Sequence, residues 1–146
     1  MRFIYFLLLA VSVSACQPNT TEQAVTPKLK ALIIDGSNNH YVWPKTTFIM
    51  KDYLVQTGLF TVDVYRLDSV WLGIKYNPNR PVPYEGYIAD YPVGEVAAAI
   101  SKNPLQTTDV AVDFSQYDVI ISNLGASTPR WPAATEQRFE QYVQNG

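Results

Sequence analysis

A continuously apolar strand that ends in a polar loop is the feature that most constrains the fold of this chain. Residues 31–34 read Ala-Leu-Ile-Ile, Asp35 follows, and the loop beyond it holds the only histidine, His40. A strand without polar alternation is typical of a parallel sheet whose two faces are both covered. Such sheets bind their ligands at the carboxyl ends of the strands, so this loop is the first candidate for a functional site.

The segments on either side of the centre predict an α/β domain. Pro44 begins a predicted helix that Thr57-Gly58 ends, and residues 60–65 then alternate as a strand does. A second unit starts with the apolar strand 118–123 and continues into a helix opened by Pro132. We predict a three-layer α/β/α fold with a mainly parallel sheet. Three strands leave that sheet incomplete at its carboxyl-terminal side.

The segment between these units, residues 66–112, is rich in proline and tyrosine, which argues against long regular elements. Within it, we predict a helix over residues 93–102, which contain the run Glu-Val-Ala-Ala-Ala-Ile. The tyrosines of this segment have two interpretations. They pack on the domain surface, or they form a lid over the site, where an aromatic face suits a sugar ring.

The amino-terminal residues predict export and lipid attachment. Arg2 precedes an apolar run that is short for a membrane span and typical of a secretory signal. The run closes with Val-Ser-Ala-Cys, which resembles the bacterial lipobox. We expect residues 1–15 to be removed, Cys16 to carry lipid and residues 16–28 to form a flexible tether. A plain signal peptide, with an incidental thiol at Cys16, is the alternative.

These features predict an exported bacterial lipoprotein that is held to a membrane by lipid and faces the periplasm or the cell surface. Gln17 in place of aspartate points to the outer membrane if the cell is Gram-negative. The formal net charge is −2, without a basic stripe, so we do not expect a nucleic-acid partner. Because Cys16 is the only cysteine, the domain, residues 29–146, has neither an internal disulfide nor a thiolate nucleophile.

The polar residues after the two apolar strands form the candidate site. His40 is the candidate catalytic group, because an imidazole titrates near neutral pH and can exchange protons. Asn38 and Asn39 can donate to and accept from sugar hydroxyls, although asparagine beside glycine also forms turns. Asn123 and Gly125 follow the other strand at the same sheet edge, so we expect these five residues to line one crevice.

Other nearby residues leave alternatives open. Trp43 is either a stacking platform for a ligand or a core residue, and Asp35 either orients His40 or caps the loop. One histidine with a few oxygens does not predict a metal site, and residues 35–38 lack the pattern of a phosphate loop. We therefore predict no metal and no other cofactor.

Three segments together resemble the ThuA-like (trehalose utilisation) domain family, part of the class I glutamine amidotransferase-like superfamily. They are residues 31–43, 57–63 and 113–146. The first resembles the family's opening strand and its asparagine-histidine-x-tryptophan loop, although two residues separate His40 from Trp43 here. The resemblance implies a flavodoxin-like sheet and leaves residues 66–112 as an unmatched insertion.

The resemblance also implies a role in carbohydrate metabolism. In the family, the strand after the last helix ends in a histidine, where amidotransferases hold a cysteine nucleophile, so we expect the chain to continue past Gly146. The expected ligand is a small sugar or sugar derivative. The protein is either a hydrolase- or isomerase-like enzyme or a non-catalytic carbohydrate-binding or scaffolding module. An amidotransferase-like hydrolase, with a nucleophile beyond Gly146, is a third alternative. The sequence does not predict an oligomeric state.

Overall fold

The computed structural model describes residues 28–73, 84–93, 99–125 and 130–146. The predicted signal peptide, Cys16 and all of the predicted tether except Lys28 lie outside the described residues. The strands are β1 (Leu29–Ser37), β2 (Phe60–Trp71), β3 (Ala99–Ser101) and β4 (Val119–Ser122). The helices are α1 (Trp43–Gln56), α2 (Tyr84–Asp90) and α3 (Ala133–Asn145), with a 3-10 turn at Phe114–Gln116. None of the helices in these ranges has the length and apolarity that a membrane crossing requires.

The strands form one sheet in the order β3-β2-β1-β4, with every neighbouring pair parallel. This confirms the predicted parallel α/β fold. The central order β2-β1-β4 corresponds to the 2-1-3 order of flavodoxin-like sheets, and β3 adds a short strand outside β2. The chain leaves β1 toward β2 and later returns to β4 on the other side of β1. The topological switch point therefore lies between β1 and β4.

Apolar side chains cover both faces of the sheet. Leu32 and Ile34 of β1 belong to one core, which is completed by Phe114 and by aromatic residues of α3. The other core joins Trp43 of α1 to the end of β2 and to α2. Because side chains alternate along a strand, these two cores lie on opposite faces. The seven residues from position 31 to the end of β1 are all buried, as the apolar run predicts.

The ends of α1 agree with the sequence signals. Pro44 lies in the first turn, where its missing N–H costs nothing. The helix ends at Gln56, and Gly58 follows with a φ of 74°, which a glycine adopts without strain. The α3 helix likewise begins directly after Pro132. Both helix predictions are confirmed.

The predicted helix over residues 93–102 is wrong where the structure describes this segment. Ala99–Ser101 form the strand β3, while residues 94–98 lie outside the described residues. The strand β2 also continues beyond the predicted end at Tyr65, and its residues Ser69–Trp71 pair with β3. At Ala99–Ser101, pairing with an extended neighbour therefore outweighs helical propensity.

Candidate functional site

The loops after β1 and β4 meet at the switch point. The Asn38 Nδ2 atom donates to the Asn123 carbonyl over 3.3 Å, and the Gly125 N–H donates to the Ser37 carbonyl over 3.1 Å. The Asn123 N–H donates to the Ile34 carbonyl at 2.8 Å, which keeps the end of β4 against β1. Two strand ends that are distant in sequence therefore build one surface.

Gly125 lies directly against the two asparagine amides of the first loop. A Cβ atom at this position would stand 2.4 Å from Asn38 Oδ1 and 2.5 Å from Asn39 Oδ1. A side chain at this position would displace both amides, so their close approach to the backbone requires glycine. Both amide oxygens and the Gly125 backbone consequently form one small polar surface.

A second glycine holds the same loop from the other side. Gly73, shortly after β2, has a φ of 87°, and a Cβ there would stand 2.4 Å from the Asn39 carbonyl carbon and oxygen. The loop after β1 is thus packed between glycines that follow both neighbouring strands. Sequence reasoning missed Gly73, because it lies in the middle segment. Its signal is a glycine placed just beyond a strand end.

Asn38 fixes the shape of the loop. Its Oδ1 accepts the His40 backbone N–H at 2.9 Å, while its own backbone N–H donates to the Trp71 carbonyl at 3.4 Å. A side-chain oxygen that binds the backbone two residues ahead is an Asx turn. The turn-forming alternative for Asn38 is therefore the one that the structure has. The Trp71 carbonyl, at the end of β2, therefore helps to hold the loop.

Asn123 ties the end of β4 to the first turn of α1. Its Nδ2 lies 3.1 Å from the Trp43 carbonyl, 3.0 Å from Thr46 Oγ1 and 2.8 Å from Thr47 Oγ1. An amide nitrogen carries only two hydrogens, so its donors are fully engaged. Asn123 is therefore part of the frame of the site, and only its carboxamide oxygen remains for a ligand.

Asn39 and His40 carry the available polar groups. The His40 side chain is exposed and Asn39 is half-buried. Within the described part of the chain, neither the imidazole of His40 nor the carboxamide of Asn39 forms a hydrogen bond. The frame thus presents two side chains whose donors and acceptors are unoccupied.

A buried ion pair between Asp35 of β1 and Arg66 of β2 lies next to the site. Asp35 accepts from Arg66 Nε at 2.9 Å and from its second guanidinium nitrogen at 2.8 Å, and the arginine and aspartate side chains are 5% and 0% exposed. The guanidinium lies 5.1 Å from the ring centre of Trp43. Trp43 is itself 1% exposed and donates its indole N–H to the Trp71 carbonyl. Asp35 therefore binds Arg66 rather than His40, and Trp43 packs in the core.

The same edge of the sheet also holds a buried hydroxyl group, that of Ser37. The Ser37 hydroxyl is buried at the end of β1 and has no hydrogen-bond partner among the described residues. Sequence reasoning missed it, because serine beside glycine is typical of a turn. Across the same ranges, no group of three or more His, Cys, Asp or Glu residues is placed to hold a metal ion.

A cavity of about 540 Å³ lies elsewhere, between the 3-10 turn and the end of α3. Asp113, Asp118 and Arg138 contribute charged groups to its wall. Hydrogen bonds from Ser115 and Gln116 lower the pKa of Asp113 below its ordinary value. The cavity contains none of the predicted site residues and lies at the amino edge of the sheet, away from the switch point.

The chain matches no family model, no curated protein and no solved structure. The chemistry of the site therefore has to be judged from its own groups. The carboxamides are uncharged and, like an imidazole, offer hydrogen-bonding groups, and the nearby charges of Asp35 and Arg66 pair with each other. Such a surface suits a neutral, hydroxyl-rich ligand better than a strongly charged one.

Proposed function

We propose that this chain is an exported, membrane-anchored lipoprotein whose α/β domain binds a carbohydrate or sugar derivative at the carboxyl edge of its sheet. The observation that carries the proposal is the meeting of the two strand-end loops, where Gly125 lies against the amides of Asn38 and Asn39. This is the position at which open parallel sheets bind ligands. The resemblance to the ThuA-like family supports a sugar as the ligand class.

Each polar residue has a stated role in this proposal. Asn39 and the carboxamide oxygen of Asn123 bind ligand hydroxyls, and His40 binds a third hydroxyl at the exposed rim. Asn38, Gly73 and the Asn123 nitrogen hold the loop in position. Preorganisation of this kind favours binding, because the loop loses little freedom when the ligand arrives.

Catalysis by His40 is the second candidate function, and the exposure of its imidazole favours it. A histidine that acts as an acid–base catalyst is usually oriented by a second polar group. In the described residues no carboxylate performs this task, since Asp35 is engaged by Arg66. Carbohydrate binding without turnover is therefore the simpler function of the two.

Isothermal titration calorimetry on the full chain in detergent micelles tests the proposal. The probes are a panel of neutral mono- and disaccharides that includes trehalose, with product analysis after prolonged incubation. We expect one or more sugars to bind and His40→Ala or Asn39→Ala to weaken binding by about tenfold, or roughly 1.4 kcal/mol. Gln144→Ala, an exposed change in the last turn of α3, is the matched control.

Three results separate the possibilities. Sugar binding without product supports a binding module, whereas product that disappears in the His40→Ala variant assigns a catalytic role to the imidazole. Product formed equally by both chains removes His40 from the mechanism. If no sugar of the panel binds, or if Asn39→Ala and Gln144→Ala weaken binding equally, the proposed site is wrong.

A further inference from the structure

The exposed apolar side chains of this domain are concentrated at one edge of the sheet. In the described residues, the large hydrophobic side chains that remain exposed are Leu29, Ile49, Tyr53, Val55, Leu59, Ile100 and Val143. Only Ile49, in the middle of α1, and Ile100, in β3, lie away from the amino edge. The other five form what we call the amino-edge patch.

The backbone shows that these five side chains lie at the same end of the sheet. The Leu29 N–H donates to the Leu59 carbonyl at 2.9 Å, which joins the start of β1 to the turn before β2. Tyr53 and Val55 lie in the last helical turn of α1, shortly before the connection that leads into β2. On the opposite face of the sheet from α1, residues at the end of α3 line the same cavity as Asp118, which directly precedes β4. The end of α3 therefore lies near the amino end of β4. Val143 belongs to that last turn of α3.

The side chains of the amino-edge patch are highly exposed to solvent. Tyr53 is 71% exposed, Leu59 63% and Val143 61%. Single apolar residues on a surface need no explanation, but apolar residues gathered at one edge mark an interaction surface. A tyrosine at such an edge suits a membrane interface, where its ring is buried and its hydroxyl stays in water.

The position of the tether identifies the occupant of this surface. β1 begins at Leu29, so residues 17–28 join the amino-edge patch directly to Cys16. Even when fully extended, twelve residues span no more than about 40 Å. An acylated Cys16 therefore keeps the patch near a bilayer at a high effective concentration, at which weak docking is populated.

We propose that the amino-edge patch docks the domain on the lipid bilayer to which Cys16 is anchored. This inference rests on the lipid attachment in the proposed function and adds an orientation to it. β1 runs from the patch to the ligand site, and its nine residues span about 26 Å. The ligand site therefore faces away from the bilayer, toward water.

The interaction is mainly apolar. Lys28 and Lys30 flank Leu29 and are exposed, but Asp118 accepts the Lys30 backbone N–H at 2.7 Å and places a carboxylate at the same edge. Asp113 adds a second carboxylate nearby. Because charges of both signs lie at this edge, the proposed docking is not assigned to anionic lipid. Phosphatidylcholine vesicles are therefore an adequate probe.

Fluorescence quenching on the acylated full chain in such vesicles tests the orientation. The thiol of an acylated Cys16 is blocked, so a cysteine introduced by Thr61→Cys or Lys45→Cys takes the fluorophore alone. Thr61 lies at the amino edge and Lys45 in the first turn of α1, at the opposite edge. With spin-labelled lipid headgroups, we expect at least threefold stronger quenching at position 61 than at position 45.

Variants of the patch then identify the contact. Leu29→Ser with Leu59→Ser is expected to reduce the quenching at position 61 to the level of position 45, and Tyr53→Ser with Val143→Ser reduces it independently. Ile49→Ser with Ile100→Ser is the matched control and leaves the quenching unchanged. Circular dichroism confirms that each variant is folded.

The possible failures can be told apart. Mass spectrometry that finds no acyl groups on Cys16 overturns both the anchor and the docking. Equal quenching at the two labels of an acylated chain overturns only the docking, and dimers seen by sedimentation would then assign the patch to self-association. Strong quenching at position 61 in a chain that binds no sugar overturns only the ligand site.

Discussion

Gly125→Ala tests the geometry of the site most directly. A methyl group at this position would stand 2.4 Å from Asn38 Oδ1 and 2.5 Å from Asn39 Oδ1. The atoms that must move are the ends of flexible side chains, so the fold survives. The displaced Asn38 amide gives up its bonds to the Asn123 carbonyl and the His40 N–H. At about 0.5–1.5 kcal/mol for each bond, we expect a loss of roughly 1–2 kcal/mol of stability, because both bonds are partly exposed.

The expected effect on the ligand is larger than the effect on stability. Moving both amides turns the acceptors of the site away from their positions, so sugar binding should weaken at least tenfold. Gly58→Ala is the matched control. Gly58 has a φ of 74° and no neighbouring atom within 4 Å of the added Cβ, and alanine in this left-handed conformation costs about 1–2 kcal/mol. It therefore matches the loss of stability without touching the site.

Urea unfolding and calorimetry on the two variants measure the two effects separately. We expect similar unfolding midpoints, with sugar binding lost only in Gly125→Ala. In a chain that already carries Asn38→Ala, the further stability loss caused by Gly125→Ala should be much smaller, since the two Asn38 hydrogen bonds that the clash breaks are already absent. Additive stability losses in this double variant would contradict the clash, and unchanged sugar affinity in Gly125→Ala would refute the site itself.

Two further predictions concern stability. Asp35→Ala removes the carboxylate that holds the buried Arg66 guanidinium through two hydrogen bonds, so we expect urea unfolding to show a loss of about 3–5 kcal/mol, and a loss below 1 kcal/mol would contradict a buried pair. The pKa of the Asp109 carboxyl lies below its ordinary value chiefly because the Thr135 hydroxyl donates to it. A lowered folded pKa stabilises the domain above the ordinary value, and this stabilisation is lost as the pH falls through the folded value. Thr135→Val should therefore flatten the acid dependence of the unfolding midpoint below about pH 5, and an unchanged slope would oppose this assignment.

The sequence predictions that the structure confirms are those in which one local pattern has one physical cause. The uninterrupted apolar run of β1 predicted a strand covered on both faces, and Gly58 predicted the end of α1. The chain order of the elements then placed the ends of β1 and β4 at one edge, which brought Asn38 and Gly125 together. None of these steps required knowledge of a distant contact.

The features that the sequence did not predict depend on tertiary pairing. β3 is a strand because β2 extends beside it, and no property of residues 99–101 alone records that neighbour. The ion pair of Asp35 with Arg66 likewise depends on the register between β1 and β2. The role of Gly73 depends on the position of a loop that lies more than thirty residues earlier in the chain. Propensity and periodicity carry no information on such contacts.

The same contacts divide the residues of the site into a frame and its free groups, and this division has a mutational consequence. The side-chain amides of Asn38 and Asn123 donate their hydrogen bonds to backbone and hydroxyl oxygens of the protein. Substituting either one should lower stability and sugar affinity together, because the loop moves when its support is lost. Asn39 and His40 form no side-chain hydrogen bonds in the described structure, so substituting them should lower affinity at constant stability. A binding site predicts both patterns, whereas a loop that serves only to connect β1 with α1 predicts a change of stability alone.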